Sequence, residues 1–307
     1  MNALVISGGG SKGAFAGGIA EYLINTKKNQ YDIFVGSSVG SLLISQLAIN
    51  NIDKIKKTFT SISNSDIFNI SPFIVNKKEE IPSIRINHFN TLRAFLKGCN
   101  TFGESKNLRK LIEKVHSESE FDLLKKSKKV FFTVSNLTEN KVEYIDASTC
   151  TYNDYCDWMW ASANYVPFMS LMTKNGKQYA DGGFACHVPV LQAINNGATN
   201  IDVIILDEEI NENITHPAYN NPFQSLMGVF TFMTNQIALK DILITKLEGR
   251  QSQIDIKFWY PPKNITNNPL YFNSKLMTKW WDDGYERAKT TPPICYCFMD
   301  NGDLKIM

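Results

Sequence analysis

Gly36-Ser37-Ser38-Val39-Gly40 lies between Tyr31 to Val35, an apolar run that reads as a buried strand, and Leu42 to Ile49, which reads as a helix. A G-x-S-x-G sequence at a strand-to-helix turn lifts its serine above the sheet with the hydroxyl exposed. The flanking glycines let neighbouring backbone pass without a Cβ clash. A helix beginning near Ser38 aims its N-terminal amides, the positive end of its dipole, at developing negative charge. The pattern by itself is also an ordinary structural turn, so the residues on either side must choose between nucleophile and elbow.

Upstream the same grammar appears once more. Asn2 to Ser7 reads as a buried strand, Gly8-Gly9-Gly10-Ser11-Lys12-Gly13 as a turn, and Ala14 to Asn25 as a helix with Phe15, Ile19, Tyr22 and Leu23 on one face. Strand, glycine loop and helix, repeated, predict a parallel sheet covered by helices on both faces. Neighbouring parallel strands carry their carboxyl-end loops side by side. Amides around Gly9 and Gly10 can therefore line an oxyanion hole beside Ser38.

The first loop has two rival readings. Gly8-x-Gly10-x-x-Gly13 matches the dinucleotide fingerprint of NAD(P) oxidoreductases. That fingerprint needs an acidic residue at the carboxyl end of the second strand, and Asp32 stands at its start. A Walker loop needs Ser or Thr after its lysine, and Lys12 is followed by Gly13.

Downstream, Lys129 to Ser135 and Val142 to Ile145 read as a hairpin, Leu108 to His116 and Trp158 to Ala163 as helices, and Ile201 to Leu206 as a buried strand. Residues from about Ser61 to Asn107, including Lys77-Lys78-Glu79-Glu80 and Ile81-Pro82, read as a cap over the sheet. Phe223 to Leu247 reads as a long core helix, with Leu226, Phe230, Met233, Ile237, Ile244 and Leu247 near one face; the alternative is a membrane-surface helix. No repeat or linker divides the chain. One domain over 1–307 is expected, with the motifs in 1–207 and an extension, 208–307, packed on them.

A serine nucleophile needs a base. His88, His116, His187 and His216 are scattered, whereas Asp181-Gly182-Gly183 forms a tight turn after a strand and before the helical stretch Val188 to Asn196. A partly dehydrated carboxylate can serve as the base. An Asp-Gly pair is equally a common turn.

Composition narrows the partners. The 307 residues carry 32 Lys and Arg against 30 Asp and Glu, a net charge of +2, which gives no electrostatic reason to expect nucleic acid. Six cysteines, Cys99, Cys150, Cys156, Cys186, Cys295 and Cys297, form no paired metal-ligand spacing, so neither metal nor cofactor is expected. No basic-flanked signal or membrane-length apolar run is seen, which leads to the expectation of a cytoplasmic or peripherally membrane-associated protein with free thiols.

Taken in order, Ser7-Gly8-Gly9-Gly10-Ser11-Lys12-Gly13, Gly36 to Gly40 and Asp181-Gly182-Gly183 resemble the patatin-like phospholipase family. Tyr31-Asp32-Ile33, Ala161-Ser162-Ala163 with Pro167, Leu108-Arg109-Lys110-Leu111-Ile112 and Gly284-Tyr285-Glu286 add weaker landmarks. The resemblance covers most of 1–207 and implies a three-layer α/β/α sandwich with a mainly parallel central sheet. It implies Ser38 as nucleophile, Asp181 as base, and Gly8, Gly9 and Gly10 as the oxyanion loop. Lys12, Gly13, Gly36, Gly40, Gly182 and Gly183 would support elbow and loop. The substrates implied are phospholipid or other lipid esters, with contact to a membrane surface. A non-catalytic lipid-binding relative is the alternative. His187 departs from the family, which generally has Asn there; it either supports the turn, tunes Asp181 or shuttles a proton.

An acyl channel could be lined by Phe68, Phe73, Ile74, Ile84, Phe89, Trp158, Trp160, Phe168, Met169, Leu171 or Met172, although core is the expectation for most. Lys54, Lys56 and Lys57, and Lys125, Lys126, Lys128 and Lys129, either touch anionic lipid or coat solvated helix faces.

Overall fold

A computed structural model describes every residue except 77–82, 210–217, 263–264, 267, 299–303 and 307. Strand β1 (Asn2–Ile6), helix α1 (Gly13–Glu21), strand β2 (Ile33–Ser37) and helix α2 (Val39–Ala48) form the doubled strand–loop–helix unit. Then come α3 (Ile52–Phe59), α4 (Asn64–Ile67), β3 (Phe73–Asn76), β4 (Ser83–Ile86), α5 (His88–Leu96), α6 (Lys106–Val115) and α7 (Glu118–Ser127). The hairpin β5 (Lys129–Asn136) and β6 (Lys141–Asp146) precedes α8 (Tyr152–Ser162), β7 (Met172–Lys174) and β8 (Lys177–Asp181). Last are α9 (Val190–Asn195), β9 (Asn200–Ile204), α10 (Pro222–Ser252), β10 (Asp255–Trp259), α11 (Ser274–Thr290), β11 (Ile294–Phe298) and β12 (Leu304–Ile306).

The main sheet runs β12-β11-β10-β9-β1-β2-β5-β8-β7, with β6 also on β5. Its central strands, β10 to β5 in that order, are mutually parallel, and the outer pairings are antiparallel. Strands buried on both faces read as continuous apolar runs. Along β1, Leu4 and Ile6 point into one core with α1 and α2, while Ala3 and Val5 point into the other, which holds Val190 and Ala193 of α9. These two cores are the interlayer spaces of a three-layer α/β/α sandwich, as expected.

The cap expected between Ser61 and Asn107 contains β3 and β4 as a separate two-stranded sheet. The charged run at Lys77 to Glu80 and the Ile81-Pro82 pair lie outside the described residues.

Helix α10 corrects the expected core helix. Asn221 caps it, its side chain accepting from the Gln224 amide, and Pro222 opens its first turn. Its fully buried positions, however, are Gly228, Ala238, Thr245 and Gly249, whereas Met233 and Leu247 are 51% and 60% exposed. A heptad-spaced stripe drifts by about 20° per heptad on a straight helix, so over this length no single apolar line can keep facing one neighbour. The first half packs Phe223 and Phe230 against Phe168. The second half settles on the sheet through small residues, with Gly249 under Ile256.

Residues beyond 207 extend the sheet through β10 and β11 and cover α1 with α11. Trp281 fills the space beside Gly17 and Gly18, and Gly284 lies against the Phe15 carbonyl.

Candidate active site

Strand β2 runs directly into α2 through Ser38, whose backbone stands at φ 53°, ψ −124°. A non-glycine residue there is strained, a condition that surrounding structure must hold in place. The holding contacts are visible. Gly36 and Gly40 touch, since a Cβ on Gly36 would sit 2.5 Å from the Gly40 carbonyl carbon, and one on Gly40 would sit 2.2 Å from the Ile6 carbonyl oxygen. The Ser38 amide donates to Ser162 Oγ at 3.0 Å; the Ser162 and Ser41 hydroxyls are 2.8 Å apart, and Ser41 Oγ donates to the Gly36 carbonyl at 2.8 Å.

Asp181 ends β8, which the pairing of β8 with β5 brings to the same place. Its amide donates to the Asn164 carbonyl at 2.9 Å, and its carbonyl accepts from Ser135 Oγ at 2.6 Å. One carboxylate oxygen, Oδ1, accepts the Gly183 amide at 2.8 Å; the other, Oδ2, accepts the Ser38 hydroxyl at 2.6 Å. Burial pushes the Asp181 carboxyl up to about 6, against the opposing pull of the Ser38 and Gly183 hydrogen bonds. Gly182 lies so near β5 that a Cβ would be 2.2 Å from the Thr133 carbonyl oxygen.

The loop from Gly8 to Gly13 lies beside Ser38, and its glycines are not equivalent. The Gly8 amide donates to the His187 carbonyl at 3.2 Å, so it has an acceptor inside the protein. The amides of Gly9 and Gly10 have no acceptor among the described residues, and both residues line the cavity that holds Ser38 and Asp181. Gly10 adopts φ +56° with the Pro269 carbonyl pressed against it, a position closed to any side chain. Gly13 opens α1 against Val39.

Lys12 is held beside the loop by an acidic partner. Its ammonium sits 2.5 Å from Asp207, whose other oxygen lies 2.7 Å from His187 Nε2. Burial alone would raise Asp207, but the charges of Lys12 and then His187 hold it well below the usual carboxylate range. Asp207 and Asp241 border the site and were missed by sequence reasoning, which marked Ser162 as a landmark without its contact to the Ser38 amide. Asp207 had one legible signal, since it directly follows the buried strand at the sheet edge that carries the glycine loops. Asp241, on α10, accepts the amides of His187 and Val188 at 2.7 and 2.9 Å, and no local pattern marks it.

The cavity continues from Ser38 into an apolar arm lined by Leu42, Phe59, Ile62, Leu108, Ile112 and Met169. Of the residues expected for an acyl channel, Met169 alone is among its lining; Phe68, Phe73, Phe168 and Met172 are core, Trp158, Trp160 and Leu171 are half-buried, and Ile74 and Phe89 are exposed. The side chain of Ile84 lies outside the described residues. His116 borders the arm and is pushed down to about 3 by burial, so it is neutral there. The lysine groups are engaged in part, Lys54 with Glu120 and Lys56 with Glu21. All six cysteines are free thiols. Among the described residues no group of His, Cys, Asp and Glu is arranged to hold a metal, and no helix is long and apolar enough to cross a membrane.

The family model for patatin-like phospholipases matches residues 4–194. No curated protein matches the chain. Among solved structures, VipD from Legionella pneumophila is similar at 12% identity and a TM-score of 0.47, over 97% of this chain and 68% of that one.

Proposed function

The chain belongs to the patatin-like phospholipase family, a family of lipid acyl hydrolases, and from that membership we propose that Ser38 is the nucleophile and Asp181 its general base. The observation that carries this reading is the 2.6 Å hydrogen bond from the Ser38 hydroxyl to Asp181 Oδ2 at a strained strand-to-helix turn. A carboxyl raised to about 6 is ionised at neutral pH yet basic enough to take the proton.

As Ser38 Oγ bonds to the ester carbonyl carbon, its proton moves to Asp181 and the carbonyl π pair moves onto oxygen. The Gly9 and Gly10 amides receive that oxyanion. Collapse breaks the bond to the leaving alcohol, which takes the proton from Asp181. Water then attacks the acyl-enzyme, gives a proton to Asp181 and returns Ser38 to its starting state. The apolar arm suits the hydrocarbon chain of a fatty acyl group.

Contact with a lipid surface is part of the proposal. Met227, Thr231 and Asn235 of α10 line the cavity, while Val229, Phe232 and Met233 of the same turns face out, and no charged residue occurs from Pro222 to Leu239. Phe89, Leu92 and Leu96 of α5 are also exposed, and Phe95 joins α5 to α10 through Phe102 and Phe168. An apolar rim beside an acyl pocket fits a bilayer or micelle.

A long-chain alkyl fluorophosphonate should label Ser38, and Ser38→Ala should abolish both labelling and turnover of a short-chain ester. Undiminished turnover in Ser38→Ala would overturn the assignment. Phe232→Ser with Met233→Ser should reduce hydrolysis of vesicle-borne phospholipid severalfold while sparing the soluble ester; equal loss on both would remove the rim from the proposal.

A further inference from the structure

We propose that His187 is a further catalytic residue, its Nδ1–H donating to the oxyanion beside the Gly9 and Gly10 amides; this role rests on the Ser38–Asp181 reading. His187 is 7% exposed and held on every side but one. Its amide donates to Asp241, its carbonyl accepts from Gly8, and its Nε2 lies 2.7 Å from Asp207. The remaining polar atom, Nδ1, is buried and has no partner among the described residues. A buried polar atom without a partner is costly, and native structures keep few of them.

The free edge of the ring lies toward Ser38 and Asp181. A methyl group placed on Gly8 would lie 2.8 Å from His187 Cε1, 3.1 Å from Nδ1 and 3.3 Å from Ser38 Cβ. One placed on Gly183 would lie 2.9 Å from Nδ1 and 3.1 Å from Asp181 Oδ1. Nδ1 therefore borders the same niche as nucleophile and base, a niche kept open by two glycines. His187, Ser38, Asp181, Gly9 and Gly10 all line the one cavity.

The charge arrangement suits a donor. Asp207 fixes Nε2 as the protonated nitrogen facing outward, and Lys12 keeps Asp207 ionised. Burial alone would strip the imidazolium, but Asp207 outweighs it and raises His187 above its ordinary value. Asp181 adds to that pull and Lys12 opposes it. Nearby, Asp241 on α10 accepts the His187 amide, the Cys186 thiol lies beside Asp241, and the Tyr165 hydroxyl feels the charges of Asp181 and Asp207. A cationic N–H makes a stronger hydrogen bond to an oxyanion than a neutral amide does. No proton is transferred: Nδ1–H binds as the carbonyl π pair moves onto oxygen and releases when the carbonyl re-forms.

The amide nitrogen of Asn overlays the imidazole Nδ1, and that of Gln overlays Nε2. His187→Asn keeps the inward donor and loses Asp207; His187→Gln does the reverse. Expected is a kcat for His187→Asn within about tenfold of the parent, and a loss of about 10²–10³ in kcat for His187→Gln at similar KM. The opposite order would reduce His187 to a tether and overturn the role. The unaltered protein provides a second reading independent of folding: kcat/KM should fall on an alkaline limb above pH 6.5 that His187→Asn lacks, and a limb that persists in that variant overturns the role. Ser38→Ala run alongside separates the two proposals. Full activity there removes the dyad and this role together, whereas an inactive Ser38→Ala with an unimpaired His187→Gln removes His187 alone.

Discussion

Asp181 and Asp207 border one cavity and are held in opposite ways. Asp181 is hydrogen-bonded to a hydroxyl and an amide and to no cation, so burial dominates over the weaker pull of His187 and its carboxyl is raised. Asp207 is clasped by Lys12 and His187, so charge dominates and its carboxyl is lowered. A carboxylate that is to move protons must be left short of partners, and one that is to organise charge must be saturated with them. On the proposed reading the cavity has one of each.

The sharpest way to break this contrast is Asp181→Asn. Loss of the base should lower kcat by about 10³–10⁴ in ester turnover. The same variant should not lose stability. A carboxyl raised from 3.8 to about 6 favours the protonated folded state, so its contribution falls as pH rises through that window. By neutral pH the penalty is about 3 kcal/mol, which a neutral amide relieves, so the melting temperature should hold or rise. Asp207→Asn should do the reverse, costing about 3 kcal/mol in urea unfolding by leaving Lys12 and His187 without their counter-charge. Its stabilising effect is present above the ordinary carboxylate pKa and is lost as pH falls through the lowered value in the fold. A pair of variants that shifted stability in the same direction would dissolve the distinction. The mildest test is the acid limb of kcat/KM, which should bend near pH 6 and fall about tenfold per unit below it as Asp181 takes up its proton.

The parts of this site that were legible in the sequence are those whose chemistry is local. An elbow needs glycines at fixed offsets from its serine, and a tight acidic turn needs Asp-Gly-Gly, so Ser38 and Asp181 could be read from short strings. The alternating strand and helix periodicity likewise announced the parallel sheet. Asp207, Ser162 and Asp241 act across long loops, and their partners are set by the order of strands in the sheet, which no short string encodes. The Gly8 amide, expected at the oxyanion, belongs instead to the His187 carbonyl for the same reason. Helix α10 misled because apolar spacing was read as a single buried face, whereas the helix changes neighbours midway and buries its glycines.

Pro269 and Trp281 brace the first glycine loop: the Ser11 amide donates to the Pro269 carbonyl at 2.8 Å, and Trp281 wedges against Gly17 and Gly18 in the helix that the loop feeds. Translation delivers the serine and the aspartate well before these props. The shape of that loop therefore waits on chain that emerges long after the loop itself.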